Sequence, residues 1–376
     1  MLRIAFLYFL SFLIACKASF DPYNPEIPYS KAWLDTITLR CALHQNAGCL
    51  ENIPPAISPF SPDKISDTGQ TVCYDTSTNI ACANAGYPRQ DADFTSIPSN
   101  RSFIGPTAHP VYTNDYTTLD TVRGLIWKTC AEGLSGPTCG TGTASSIAFP
   151  SVDSTCAALN TQNSGAGYSG ITTWRMPSIY ELTRFANTEN PTGTDTANFP
   201  GSPNVNFYSG TPYAPSPANT GWFIQVNAGF YDQLNSLSST MAIRCVSGTA
   251  LSTPSLTNNG DGTITDNRSG LVWQGGAGSG GLSNWQGALT YCDGLNLAGR
   301  TWRLPNVNEL HSIVDHTVTN PSINSTYFPG TVSQYYWTSS TPKTNLTYAS
   351  AVFFNSGLIG GNGKTNSLYV RCVAGP

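Results

Sequence analysis

The chain has 376 residues, a net charge of −4 from 18 Lys and Arg against 22 Asp and Glu, and a mean hydropathy of −0.17. Charge this sparse and slightly acidic excludes a nucleic-acid or polyanion binder driven by bulk electrostatics. Abundant Gly and Pro (35 and 26) beside 18 Tyr and 8 Trp exclude a helical bundle and point to loop-rich domains with aromatic cores.

Arg3 followed by the apolar run Ile4 to Ile14 reads as a targeting segment. At about 11 residues the run is too short for a bilayer core, which needs roughly 20. It ends in Leu13-Ile14-Ala15-Cys16, which resembles the lipobox of bacterial lipoproteins. The resemblance implies a signal peptide over 1–15, cleavage before Cys16 and acylation of its sulfur and new amine. Each buried methylene contributes about 0.8 kcal/mol, so two or three chains anchor stably. An ordinary secretory signal with an incidental Cys is the alternative. Lys17 does not resemble the Asp that retains some lipoproteins at the inner membrane, which implies the outer membrane and leaves surface exposure open. Setting Cys16 aside leaves ten of 11 cysteines, an even number in an exported chain where disulfides persist. Residues 16–66 read as a tether, because Pro22, Pro25, Pro28, Pro54, Pro55, Pro59 and Pro62 prevent regular structure. A short helical piece is expected from Ser30 to Cys41, and Cys41–Cys49 would clip a small loop.

Beyond the tether one pattern occurs twice. Trp174-Arg175-Met176-Pro177 precedes Glu181-Leu182 and, later, Arg244-Cys245-Val246; Trp302-Arg303-Leu304-Pro305 precedes Glu309-Leu310 and, later, Arg371-Cys372-Val373. Trp to Glu is 7 residues in both copies, and Arg to Arg is 69 in one and 68 in the other. Spacing kept over that length means one fold used twice. The first domain with its leader and an inserted loop is assigned to 67–248, a linker to 249–257 and the second domain to 258–376. In the second copy Gly270-Leu271-Val272-Trp273 is a short strand, and Trp285, Ala288, Leu289, Cys292 and Leu295 fall at helical spacing, with Ser283 as N-cap and Gln286 completing a capping box. Asn306 and Glu309 cap a second helix, as Ser178 and Glu181 do in the first copy. Tyr335–Thr338, Ala349–Phe354 and Ser367–Val373 read as strands rich in aromatic and β-branched residues. The first copy has 47 residues between Trp127 and Trp174, against 29 between Trp273 and Trp302, and its extra segment holds Cys130 and Cys139.

Each copy has one helix Cys and one terminal-strand Cys. The economical pairing is therefore Cys156–Cys245 and Cys292–Cys372, with Cys41–Cys49, Cys73–Cys82 and Cys130–Cys139 as local clips. A bridge closing roughly 80 to 90 residues contributes about 4.5 kcal/mol in the chain-entropy account.

A helix Cys tied to a closing-strand Cys resembles the C-type-lectin-like fold. Gly-Leu-Val/Ile-Trp, then Trp-Arg-Leu/Met-Pro-x-x-x-Glu-Leu, then a Trp-centred strand and Arg-Cys-Val, resembles the Lcl C-terminal-type domain, named for the terminal module of a bacterial collagen-like adhesin. Asp67-Thr-Gly-Gln-Thr-Val-Cys73-Tyr-Asp75 resembles a leader found ahead of such domains. The resemblance covers about 67–376 and implies an α+β protein with two tandem C-type-lectin-like domains, each with two helices and a small mostly antiparallel sheet, stapled by disulfides. Its namesake implies adhesion to sulfated glycans and extracellular matrix. The Glu-Pro-Asn, Gln-Pro-Asp and Trp-Asn-Asp ligand sets of classical C-type lectins do not occur, so calcium-dependent sugar binding is not inherited.

Trp174, Arg175, Pro177, Glu181 and Arg244, with Trp302, Arg303, Pro305, Glu309 and Arg371, read as structural: Glu caps a helix while Trp and Arg pack and pair at the edge of the core. Asn259, Asp261, Thr263 and Thr265 alternate like early calcium ligands, but Gly270 stands where the bidentate Glu belongs. His311 and His316 lack the zinc-protease pattern and read as an exposed helix face. No metal set, cofactor, hydrolase elbow or phosphate loop is expected. Among the tyrosines, Tyr335, with Asn345 and Asn355, is the candidate ligand-binding set, since Tyr offers apolar area and a hydroxyl. The resulting expectation is a non-catalytic, lipid-anchored envelope adhesin for an extracellular protein or glycan, with a homo-oligomer left open. An envelope scaffold is the alternative. A third reading resembles the formylglycine-generating enzymes, whose chemistry needs a reactive cysteine pair holding copper.

Overall fold

The computed structural model describes residues 61, 63–185, 195–201, 206–218, 220–225, 232–236, 240–251, 253–276 and 280–375. The targeting segment, Cys16, the expected helix at 30–41 and the Cys41–Cys49 pair lie outside them.

The architecture is α+β; among the described residues it is built from four short α-helices, several 3-10 turns and several small, mostly antiparallel sheets. The duplication seen in sequence is a duplication of topology. In the first copy one sheet runs Val246–Ser247, Ile126–Lys128, Tyr116–Asp120, Phe103–Ala108; in the second the same places are taken by Val373–Ala374, Val272–Gln274, Thr263–Asp266 and Leu256–Asn258. Register is kept as well: Val246 faces Trp127, and Val373 faces Trp273. The second copy adds a five-stranded sheet in the order Leu282–Ser283, Leu368–Tyr369, Tyr335–Trp337, Tyr348–Phe353, Leu358–Gly363. Its parallel step pairs Tyr336 with Tyr369. The first copy splits this sheet into Ile147–Ala148 with Thr240–Met241, and Asn206–Pro212, Thr220–Gln225, Asp232–Ser236. A single parallel bridge, Phe207 to Ala242, stands where the parallel step was.

Each copy has a helix bearing its Cys, α1 (Val152–Ala158) and α3 (Trp285–Asp293), and a helix after the Trp-Arg-x-Pro motif, α2 (Ile179–Phe185) and α4 (Val307–Ser312). Trp285, Ala288, Leu289 and Cys292 form the buried face of α3. Its N-cap is Asn284, whose side chain accepts from the Gly287 amide, and not Ser283. Ser283 is held in an edge strand against Leu368, so the capping position falls one residue later. Asn306 and Glu309 form the reciprocal capping box at α4.

Each core has two parts. One surrounds the long disulfide: Cys156–Cys245 with Trp174, Met176, Tyr208 and Phe223, and Cys292–Cys372 with Trp285, Trp302 and Trp337. The other surrounds the tryptophan of the Gly-Leu-x-Trp strand. Both long bridges have Cα atoms 5.5 Å apart, an ordinary disulfide span. Cys73–Cys82 and Cys130–Cys139 close local loops.

The leader packs against the second copy, far along the chain. Its start touches the first copy, where the Ser61 amide donates to Val122 O. Ile65 is then buried in the core of the second copy. Cys73–Tyr74 pairs with Asn79–Ile80, a 3-10 turn covers Asp91–Phe94, and the chain returns to the first copy as strand Phe103–Ala108. The copies also meet directly. Tyr180 of α2 donates its hydroxyl to Val314 O beyond α4, and strand Asp232–Ser236 lies beside Leu358–Gly363.

Candidate functional site

The repeated motif builds the same ion pair twice. Trp of the motif donates its indole N–H to a backbone carbonyl, Trp174 to Tyr168 and Trp302 to Leu297. The next residue is Arg, bridged through its backbone to the closing strand, Arg175 to Val246 and Arg303 to Val373. Its guanidinium then meets the helix-capping Glu in a two-pronged pair. The contacts are 2.8 and 2.7 Å for Arg175 on Glu181, and 2.6 Å twice for Arg303 on Glu309. A planar fork on a carboxylate is the strong form of this interaction. Burial alone would raise the carboxyl of Glu181, but the bonds and charge of Arg175 outweigh it and hold Glu181 below its ordinary range. Burial likewise works against the charge on Arg303, and Glu309 outweighs it, so Arg303 is raised.

The second arginine of each copy is also buried, and it packs on aromatic rings. Arg244 lies over the Phe199 and Phe207 rings at 5.2 and 5.6 Å, and Arg371 over Phe328 and Tyr336 at 4.7 and 5.8 Å. Arg244 also donates to Lys128 O, and Arg371 to Thr331 Oγ1. Burial pulls Arg244 down to about 9 and Arg371 down to about 10. The motif reading of the sequence does not supply these aromatic partners. A signal for them exists, since Phe199-Pro200-Gly201 and Phe328-Pro329-Gly330 form a further repeated motif.

The two ion pairs differ in what covers them. Arg175 keeps 29% of its side chain exposed, Arg303 only 5%. The leader makes the difference. Phe94 lies over the Arg303 guanidinium at 5.1 Å and over Arg89 at 4.7 Å. Asp91 accepts from the hydroxyls of Ser340 and Thr68, the Thr341 amide donates to Gln70 Oε1, and Asn308 donates to Ser66 O. Lys364 donates to Asp75 O and stands 4.0 Å above the Trp285 ring. Burial, then the nearby charge of Asp67, pushes the Asp91 carboxyl up to about 8, and burial brings Lys364 down to about 7.

The candidate ligand set is not brought together. Tyr335 is half-buried and stacked on Phe353 with centroids 4.5 Å apart. Asn345 is exposed and folds its carbonyl onto Thr347, while Asn355 donates to Asn320. Asn345 and Asn355 flank opposite ends of the six-residue strand Tyr348–Phe353, on the order of 17 Å long. His311 and His316, expected on an exposed face, are buried. Their Nε2 atoms lie 3.0 Å apart, Tyr180 packs on both rings and Trp222 on His316. The first copy covers that helix face, which no pattern within the helix can show. Burial, then the neighbouring His311, lowers His316 well below the ordinary imidazole value.

The Asn259–Thr265 segment is a turn in which Asp261 accepts from the amide and hydroxyl of Thr263. Among the described residues, Cys73, Cys82 and Asp93 group like metal ligands. The two sulfurs are bonded to each other, and Asp93 accepts from the amides of Ala83 and Gln90.

Comparison with protein families matches the Lcl C-terminal domain twice, over residues 116–247 and 262–374. The chain belongs to that family. The matches span more than half of its length and begin at equivalent strands of the two copies. No curated protein matches the chain. No helix among the described residues is long and apolar enough to cross a membrane.

Proposed function

We propose that this protein is a non-catalytic binding protein of a bacterial envelope, held by lipid on Cys16, which presents two C-type-lectin-like modules to an extracellular protein or glycan. The observation that carries the reading is that the polar residues of the repeated motif hold the fold. Both Arg–Glu pairs close helix caps onto the closing strand, and the Arg–aromatic stacks and the two long disulfides sit within the cores. The helix and closing-strand cysteines of each copy are bonded to each other, which favours binding over an oxidase that works through a reactive pair. The stretch of about 50 residues before the leader would lift the modules from the bilayer, since extended Pro-rich chain reaches about 3 Å per residue.

The test is an array of matrix proteins and glycans probed with the lipid-free chain, residues 17–376. Specific, saturable signal is expected. Loss of all signal, with co-purification of envelope proteins instead, would replace the adhesin with a scaffold. Two titratable thiols in either copy of the folded protein would restore the enzyme reading.

A further inference from the structure

The leader is a peptide docked on a face that the chain has built twice, and among the described residues one of the two faces is left partly open. Equivalence is fixed by bonds internal to each copy. The Ile179 amide donates to Thr211 Oγ1 as the Val307 amide donates to Ser340 Oγ. The Gly210 amide donates to Pro177 O as the Ser339 amide donates to Pro305 O. Thr211 N bonds Ser209 Oγ as Ser340 N bonds Thr338 Oγ1. Arg175, Ser178 and Thr211 are therefore the counterparts of Arg303, Asn306 and Ser340.

In the second copy each of these three holds the leader. Arg303 lies under the Phe94 ring, Ser340 donates to the Asp91 carboxyl, and Asn306 Nδ2 reaches Ile97 O at 3.4 Å. Asp91 and Phe94 are the two ends of one 3-10 turn, so a single compact turn delivers both the carboxyl and the ring. In the first copy Arg175 is part-exposed, and Ser178 and Thr211 are only half-buried. The Arg175–Glu181 pair is neutral as a unit. It offers a guanidinium face for stacking and does not call for a free anion.

We propose that this open face of the first copy receives a peptide turn with the chemistry of the leader: a carboxyl side chain followed three residues later by an aromatic ring. The carboxyl takes the Thr211 hydroxyl, the ring lies on Arg175, and a backbone carbonyl further on meets Ser178. The partner is thus an Asp/Glu-x-x-Phe/Tyr segment of a second protein. This deepens the binding reading and rests on it for the role of the face.

The probe is a labelled synthetic peptide of residues 87–99 added to the intact lipid-free chain. The second copy is already filled by its own leader at the high effective concentration of a tethered segment, so free peptide reports on the first. Saturable one-to-one binding is expected. Changing Asp91→Ala or Phe94→Ala within the peptide should each weaken it at least fivefold without touching the protein. A photo-crosslinking ring at the Phe94 position should label residues 175–181 or 209–213. Arg175→Lys in the protein, which keeps the charge but loses the planar fork, should weaken binding at a temperature where circular dichroism shows the variant fully folded. Absence of saturable binding, indifference to both peptide changes, or labelling elsewhere would overturn the proposal. A positive matrix array alongside such a failure would leave the binding function standing and remove only this face.

Discussion

The two copies of the Trp-Arg-x-Pro-x-x-x-Glu element have the same bonds and different surroundings. Around Arg303 the leader closes the site with Phe94, Asp91 and Gln70; around Arg175 solvent reaches the guanidinium. The ion pair therefore does not need its cover to form. Its geometry comes from the helix cap and the closing strand, and the cover is an added contact whose energy can be measured separately.

The largest test removes the staples. The two loops, 89 and 80 residues long, give nearly equal chain-entropy contributions of about 4.5 kcal/mol. Cys156→Ser with Cys245→Ser, set against Cys292→Ser with Cys372→Ser, should therefore cost similar amounts by denaturant titration of each copy. A markedly smaller cost in the second would mean that the leader substitutes for its staple. Next come the arginines. Arg303→Met leaves Glu309 buried and unpaired and should cost about 3–5 kcal/mol. Arg175→Met should cost less, about 1–3 kcal/mol, because solvent already reaches that site. Equal costs would show that the leader does not change the electrostatic setting of the pair. Phe94→Ala should cost the second copy about 1–2 kcal/mol through lost stacking and burial, leave the first unchanged and speed proteolysis of the leader.

The smallest effects are pH effects, and they have opposite signs. Asp91 is raised by burial to about 8, so its contribution to leader docking is present at low pH and is lost as pH rises through about 8. Protection factors in 65–99, which correct for the intrinsic pH dependence of amide exchange, should fall as pH rises from about 4 to about 8 and level off above it, and Asp91→Asn should flatten that profile. His316 is lowered by burial, so its contribution is present above the ordinary imidazole value and is lost as pH falls below about 6.5. Protection factors around Tyr180 and Val314, corrected in the same way, should fall there. Unchanged protection factors from pH 7 to 5 would show that the buried histidine pair does not couple the copies.

Much of this fold was legible because the chain states it twice. Spacing placed Cys156 and Cys245, and Cys292 and Cys372, at matching positions of a helix and a closing strand. The Asn306–Glu309 cap follows from a three-residue separation on one helix, a relation that local geometry enforces. Other features depend on segments far apart in sequence, and no period records them. The leader precedes the first copy and docks on the second; His311 and His316 are buried by α2, more than a hundred residues earlier; strand pairing at Leu282–Ser283 moves a cap to Asn284; strand length separates Asn345 from Asn355. Local hydrogen bonding and repeat spacing act through the chain and can be read from it. Which surfaces cover one another is decided by packing between elements that only the folded chain brings into contact.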